Sequence, residues 1–386
     1  MKSSLRLALL TSDTREVMRD YSTSIQSFGA APTSLLEGFS LIPNIEVHVI
    51  SCLQQRVDSP EKLTEKIWFH ALHVPKLGWM RTGFQGCIRA VRRKLSEIQP
   101  DIVHGQGTER DCALSAAFSG FPNVLTIHGN ARSIAKINNA HPLSYWWFAA
   151  RLELLALKRT QGVFCNSEFT KAEVQSAAAK VWLVPNALRL PFFDLQVKSL
   201  KSGPPLLLNI GVIQQRKQQL ELLREAKKWQ KSGGAFRLCF IGHLDQKSPY
   251  AEIFRKEIIE LKNEGWVEHI SEMNCQEIIS ALDQSAALIH VPKEEAFGLV
   301  VAEAIARGCR VFGFNVGGVS EICRGTGSIP LAKSNNWEEL GKLLLTWLNQ
   351  SNRTDEEGAM QMRTRYHPKA IAQRHLEIYK EVLGKT

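Results

Sequence analysis

The chain has 386 residues, 44% of them hydrophobic and 22% charged, a balance that fills two cores of ordinary size and excludes a disordered or fibrous protein. Lysine and arginine outnumber the acids 48 to 38. Residues 1–200 hold 23 basic against 16 acidic side chains, so the first half carries most of the excess and favours anionic partners. No apolar run approaches the ~18 residues of a membrane-crossing helix. The apolar run at 5–10 is too short for a signal-peptide core, and a cytoplasmic protein is expected.

Short β-rich runs alternate with helical segments from end to end. The first half offers strands at 5–10, 45–51, 101–105, 123–129, 162–167 and 181–186, with helices at 33–42, 86–98 and 144–160 between them. Apolar strands separated by helices predict a parallel sheet covered on both faces. A segment rich in Gly and Pro ends at Pro204–Pro205, and the alternation then restarts. Strands are expected at 206–212, 236–242, 267–271, 286–292, 310–315 and 327–331. Helices fall at 217–230, 250–263, 275–284, 298–307 and 337–350, and a last one at 368–383 closes the chain. Two doubly wound units follow, and ligands of such sheets bind at the carboxyl ends of the strands. The aromatic run YWWF at 145–148 reads as core.

Eight cysteines, at 52, 87, 112, 165, 239, 275, 309 and 323, stand singly with no CxxC pair. Neither a disulfide framework nor a zinc site is expected from that spacing. HALH at 70–73 has two histidines but no third ligand nearby. There is no D-x-D pair, no G-x-G-x-x-G after the first strand, no P-loop string and no nucleic-acid module.

Two strand-to-helix corners carry unusual residues. After the apolar strand near 286–292 comes KEEAFGLVVAEAIARG. Gly298 permits a tight turn into a helix whose first N–H groups, from Phe297 to Leu299, can bind an anion. Glu295 precedes that point, and Glu303 lies roughly 7 Å further along the helix axis from Gly298. A nucleoside-diphosphate sugar has such a layout of sugar, diphosphate and ribose. The alternative makes Glu295 a dipole-favoured acid and Glu303 a solvated surface charge. The second corner, GVIQQRKQQ, places Arg216 and Lys217 at a helix start, where cations oppose the macrodipole and suit a diphosphate ligand better than the helix. Two exposed cations opening a polar helix are the alternative there. In the first half, residues 79–95 gather Trp79, Phe84, Arg81, Arg89, Arg92, Arg93 and Lys94. They fit contact with an anionic membrane surface or a plain solvated helix face.

The string from Glu295 to Gly308 resembles the acidic E-x7-E signature of the retaining glycosyltransferases of family 4, and F-x-V-G-G-V-S-E-I at 314–322 resembles the segment that follows it. Gly211, Arg216 and Lys217 match G-R-x-x-x-x-R-K-G, with Val212 replacing an Arg and Gln218 replacing a Gly. P-D-I-V-H at 100–104, T-I-H-G at 126–129, N-S-E-F at 166–169 and V-P-N-A at 184–187 match as well. In the first loop the family's G-G pair is reduced to Gly29 followed by Ala30.

The resemblance implies the α/β GT-B fold, two Rossmann-like doubly wound domains facing each other across a cleft. Residues 1–190 would bind the acceptor, 191–204 form a linker, 205–365 bind the nucleotide sugar, and 366–386 cross back to the first domain. The implied activity is retaining, metal-independent transfer of a sugar from a nucleotide-diphosphate sugar to a hydroxyl of a glycan or lipid-linked acceptor, as in cell-surface polysaccharide or glycolipid synthesis. The donor is a co-substrate, with no other cofactor and no metal. Glu295, Arg216, Lys217 and His128 would be catalytic, and Gly29, Gly211, Phe297, Gly298, Leu299 and Glu303 would bind the donor. Peripheral contact with the inner face of a membrane through 79–95 is the partner reading beyond donor and acceptor. A nucleotide-sugar isomerase or hydrolase, or a degenerate donor-binding subunit, stays open.

Overall fold

A computed structural model describes residues 4–137, 139–194, 203–245, 248–326, 331–349 and 355–385. The chain divides into two units, one of Met1–Arg189 with Tyr366–Thr386 and one of Leu190–Arg365. Most of the expected linker, residues 195–202, lies outside the described residues, as does most of the expected strand at 327–331.

In the first unit the strands are β1 (Leu5–Leu10), β2 (Ile45–Leu53), β3 (Lys62–Thr64), β4 (Ile67–His73), β5 (Ile102–Gln106), β6 (Asn123–Ile127), β7 (Val163–Cys165) and β8 (Val181–Leu183). They form one sheet in the order β3-β4-β2-β1-β5-β6-β7-β8. Every neighbouring pair is parallel except β3–β4, which is an antiparallel ribbon at the edge. That ribbon has no counterpart in the sequence reading. Lys, Glu and His interrupt its apolar residues, and β4 is only partly covered along its length. By contrast β5, β6 and β7 are buried at every position, as apolar strands covered on both faces must be.

Local capping sets the helix starts. Ser144 accepts the Trp147 N–H at the head of helix Tyr145–Arg159, and Ser167 forms a capping box with Thr170 before helix Glu168–Val174. The aromatic run at that first head is not core, because Tyr145 and Phe148 remain 46% and 38% exposed. The last helix, Pro368–Val382, starts on His367 with Pro368 in its first turn and belongs to the first unit. It seats Tyr379 and Ile378, both fully buried, against β-strand side chains. The Tyr379 hydroxyl lies 2.6 Å from His104 Nδ1 on β5, and the His375 ring stacks on Phe164 at 4.6 Å. Gly38 makes this docking possible, since a Cβ there would fall 2.3 Å from the Pro368 carbonyl oxygen.

The second unit carries β9 (Leu206–Ile210), β10 (Arg237–Ile241), β11 (Val267–Ile270), β12 (Ala287–His290), β13 (Arg310–Phe314) and β14 (Leu331–Ala332). Their order, β11-β10-β9-β12-β13-β14, is parallel throughout. The winding reverses between β9 and β12, which are hydrogen-bonded neighbours. Loops leaving the carboxyl ends of these two strands therefore diverge, opening the kind of crevice in which α/β sheets hold ligands.

Candidate active site

The basic and acidic corners are the loops that leave β9 and β12, so the reversal brings them together. Arg216 and Lys217 occupy a short 3-10 turn, Gln215–Lys217, and the helix proper begins later, at Gln219. The expectation that the pair opens the helix is corrected accordingly. Gln218 sits between turn and helix in the left-handed conformation, φ 57°, which turns the chain sharply. Its side chain donates to the Val291 carbonyl at 2.8 Å and fastens the basic turn to the loop after β12. Two further bonds tie the corners together. Lys293 N–H donates to the Arg216 carbonyl at 2.8 Å, and Arg216 Nη1 donates to the Glu294 carbonyl at 2.9 Å.

At the centre lies a charged triad. Lys217 Nζ donates to Glu295 Oε2, and the same oxygen lies 3.2 Å from His290 Nε2. The Lys217 and Glu295 side chains keep only 17% and 14% of their exposure. Burial by itself raises the Glu295 carboxyl, but the Lys217 charge and the His290 hydrogen bond outweigh it and hold the group well below the usual carboxylate range. His290 is pushed below its ordinary value, chiefly by burial. It ends β12 and was missed in the sequence, where a histidine closing an apolar strand is the signal that could have found it.

Gly298 follows with φ 100°, a conformation costly for any residue with a Cβ. It begins the helix Leu299–Ala306, and the N–H groups of Gly298 and Leu299 make no hydrogen bond among the described residues. Phe297 is buried, 4% exposed. The Gly317–Gly318 pair backs this turn: Gly318 N–H donates to the Glu295 carbonyl at 3.0 Å, and a Cβ at 318 would meet the Ala296 oxygen at 2.6 Å. Glu303 lies on the inward face of the helix at 7% exposure, which removes its reading as a solvated surface charge. Gly211 directly follows β9 with φ 148°.

The remaining expected residues belong to the first unit. His128 follows β6, and its Nε2 lies 2.8 Å from Gln106 Oε1. A carboxamide oxygen only accepts, so Nε2 carries the proton and Nδ1, buried and without a partner among the described residues, is a vacant acceptor. Burial pushes the imidazole down to about 4, so it is neutral at physiological pH. Beside it, and also missed, is Glu109: a Cβ at Gly107 would approach Glu109 Oε2 at 2.8 Å and His128 Cδ2 at 3.8 Å. Burial and the charge of Glu153 raise the Glu109 carboxyl to about 6 against backbone N–H donors that lower it. Gly29 caps helix Ala30–Ser40 in an ordinary conformation, and a Cβ there would meet only Pro32 at 3.8 Å. Nothing in the fold therefore demands glycine at 29. In the segment at 79–95 the arginines at 81, 89, 92 and 93 are exposed, while Trp79 and Phe84 are 5% and 3% exposed and pack into the core. The aromatic half of the membrane reading is thus not on the surface.

Family models match nearly the whole chain. The model described as Glycosyl transferases group 1 matches residues 193–366, and that described as Glycosyltransferase Family 4 matches residues 43–190. The chain belongs to the family 4 glycosyltransferases. The fold of this glycosyltransferase is similar to that of sucrose-phosphate synthase (tll1590) from Thermosynechococcus elongatus, with a TM-score of 0.78 at 16% identity over 98% of this chain and 99% of that one. It is also similar to Anabaena Alr3699/HepE in complex with UDP-glucose, at 0.72 and 15% over 98% and 100%, and to a glycosyltransferase from Rickettsia africae ESF-5, at 0.70 and 17% over 99% and 100%. These are GT-B proteins. No curated protein matches the chain. The glycosyltransferase departs from the family pattern at Gln218, and the geometry accounts for it: the left-handed φ that a glycine would adopt freely is kept, and a buried hydrogen bond offsets part of the strain. Val212, replacing the motif's Arg, points to solvent at 48% exposure.

Proposed function

We propose that this glycosyltransferase moves a sugar, with retention, from a nucleotide-diphosphate sugar bound by the second unit to a hydroxyl of a glycan or lipid-linked acceptor bound by the first. The single observation that carries the reading is the Lys217–Glu295–His290 triad, with Arg216 and the Gly298 turn beside it, at the strand reversal of the second unit.

In this reading the diphosphate lies against the Gly298 and Leu299 N–H groups, Arg216 and Lys217. An ammonium has three donors. One is committed to Glu295, which leaves two for phosphate oxygens, and Arg216 keeps N–H groups beyond the one given to Glu294. These fixed donors stabilise the charge that develops on the leaving diphosphate and need not reorganise as it forms. Glu295, kept ionised by its partners, accepts from hydroxyls of the sugar. Glu303, further along the helix, holds the ribose. Nδ1 of His128, with no partner among the described residues, suits a hydroxyl donor, and the neutral ring brings no positive charge to it. Gly29 keeps its assignment to the donor as part of this proposal, and the fold itself does not need a glycine there. The positive charge is supplied by side chains, so no metal ion is required at the diphosphate. The exposed arginines of 79–95 attract an anionic acceptor or membrane surface by charge alone.

The Anabaena protein's complex with UDP-glucose makes uridine-diphosphate sugars the first donors to try. Thermal denaturation against a panel of nucleotide sugars tests the assignment, because a ligand at 100 times its dissociation constant adds ~2.7 kcal/mol to stability. One or more donors should raise the midpoint, and that donor should be consumed only when an acceptor is present. Consumption of the donor with no acceptor, yielding an isomer or free sugar, would replace transfer with isomerisation or hydrolysis.

A further inference from the structure

Cysteines spaced at 52, 87 and 112 give no metal motif along the chain, but the first unit folds two of them onto one carboxylate. Cys52 is the next-to-last residue of β2, Cys87 lies in the first turn of helix Gln85–Ile98, and Asp111 opens helix Asp111–Ala117. One donor atom from each lies within 4.8 Å of the other two. Cys87 is fully buried, and Cys52 and Asp111 are each 5% exposed. Both thiols belong to the apolar cluster that contains Leu10, Ile50, Phe84 and Val91.

The carboxylate is the informative member. Asp111 makes no ion pair among the described residues. The guanidinium next to it in sequence, Arg110, donates to Glu16 at 3.2 Å and acts on Asp111 through its charge without pairing with it, while the Asp111 carboxyl lies against the two thiols. A buried carboxyl facing thiols needs a proton or a cation to be stable there. We infer that Cys52, Cys87 and Asp111 form a binding site for a thiophilic divalent ion, zinc by its preference for sulfur with one oxygen ligand. Zinc–sulfur bonds of about 2.3 Å in a tetrahedron place neighbouring ligand atoms roughly 3.8 Å apart, within the spread of this group. Cys112, 3% exposed with its Sγ 3.9 Å from Ser12 Oγ, is outside the three whose donor atoms all lie within 4.8 Å of one another. Magnesium and manganese, which prefer oxygen donors, are disfavoured. The ion would tie together three elements remote in sequence, the end of β2 and the two helices. All three residues belong to the first unit, whereas Arg216, Lys217 and Glu295 belong to the second.

The test is metal analysis of the full chain produced with zinc, held reduced and desalted. One zinc per chain is expected in the wild type and in Cys275→Ser, a partly exposed cysteine elsewhere. Cys87→Ser and Asp111→Asn should each bind zinc at least tenfold more weakly, and Asp111→Asn, close to isosteric, covers the case in which the cysteine variant does not fold. Cobalt(II) added to metal-free protein should give thiolate-to-metal charge-transfer absorption that Cys87→Ser loses. Three results overturn the inference: no stoichiometric zinc and no cobalt band in the wild type, zinc retained equally in both variants, or a Cys52–Cys87 disulfide found by mass spectrometry in metal-free protein under reducing conditions.

Discussion

Replacing Lys217 with Met keeps the apolar stem and removes the charge, so it isolates what the ammonium does. Two losses are expected, and they separate by assay. In the free protein Glu295 loses its cation while staying 14% exposed. Breaking a fully buried pair costs 3–5 kcal/mol, and the residual exposure of this one brings the figure to about 2–3. Urea unfolding of Lys217→Met, Glu295→Gln and the double variant gives the coupling directly, and hydrogen exchange in helix Leu299–Ala306 reads the same loss locally. The pH dependence fixes the sign. The folded Glu295 carboxyl lies below its unfolded value, so its contribution is complete above about pH 4.3 and drains away as pH falls below it. Without Lys217 burial raises that carboxyl, so the gap between wild type and variant should be widest at neutral pH and narrow in acid. In turnover, loss of one preorganised donor to the leaving group costs on the order of 100-fold, about 2.7 kcal/mol. Turnover within about threefold of wild type, together with a coupling near zero, would refute both the triad and its role.

Glu295→Gln should weaken binding of the full donor while barely changing affinity for the free nucleoside diphosphate, whereas Glu303→Gln should weaken both by roughly 1–3 kcal/mol; equal losses for the two ligands in the Glu295 variant, read by isothermal titration, would reverse the orientation of the donor. Transfer should proceed with EDTA present and no added magnesium or manganese, and a loss that either ion restores would mean that the diphosphate needs a metal. His128 and His375 take up a proton near pH 6.5 when unfolded but only at about 4 in the fold, so stability should fall as pH drops from 6.5 towards 4, by up to ~1.4 kcal/mol per pH unit for each. His375→Gln should flatten that slope in urea unfolding, and an unchanged slope would show that His375 is not held neutral.

The strands were legible because burial on both faces writes an apolar run into the sequence, as in LRLALL and NVLTI. The β3–β4 ribbon was not, because β4, next to the sheet edge, alternates Trp68 and His70 with Phe69 and carries neither a continuous run nor a helical period. YWWF misled for a related reason: aromatic content alone does not say which side of a helix faces inward, and Tyr145 spends its hydroxyl on the Glu109 carbonyl at the surface. Conversely, His104 sat in a recognisable string, P-D-I-V-H, yet its bonds run to Tyr379 and Thr126 in the core. A conspicuous motif residue can thus serve helix docking.

The site divides along the same line. Arg216, Lys217, Glu295, Gly298 and Glu303 could be named because local features mark them, paired cations, a glycine at a sharp turn and acids flanking a helix start, and the family resemblance chose between readings that those features left open. What no local rule states is that Lys217 and Glu295, 78 positions apart, share a hydrogen bond. That contact exists because β9 and β12 are neighbours across the reversal of the sheet, a property of strand order and of neither loop. His290 and Glu109 escaped for the same reason. His290 closes a strand and Glu109 lies in the loop after β5, and each is unremarkable until the sheet sets the Glu295 carboxylate beside one and the His128 ring near the other. The Cys52–Cys87–Asp111 group is the extreme case, since its members come from one strand and the first turns of two helices and share no spacing. Chemistry confined to one corner can be read from residues in order, whereas chemistry made by two corners requires the order of the strands.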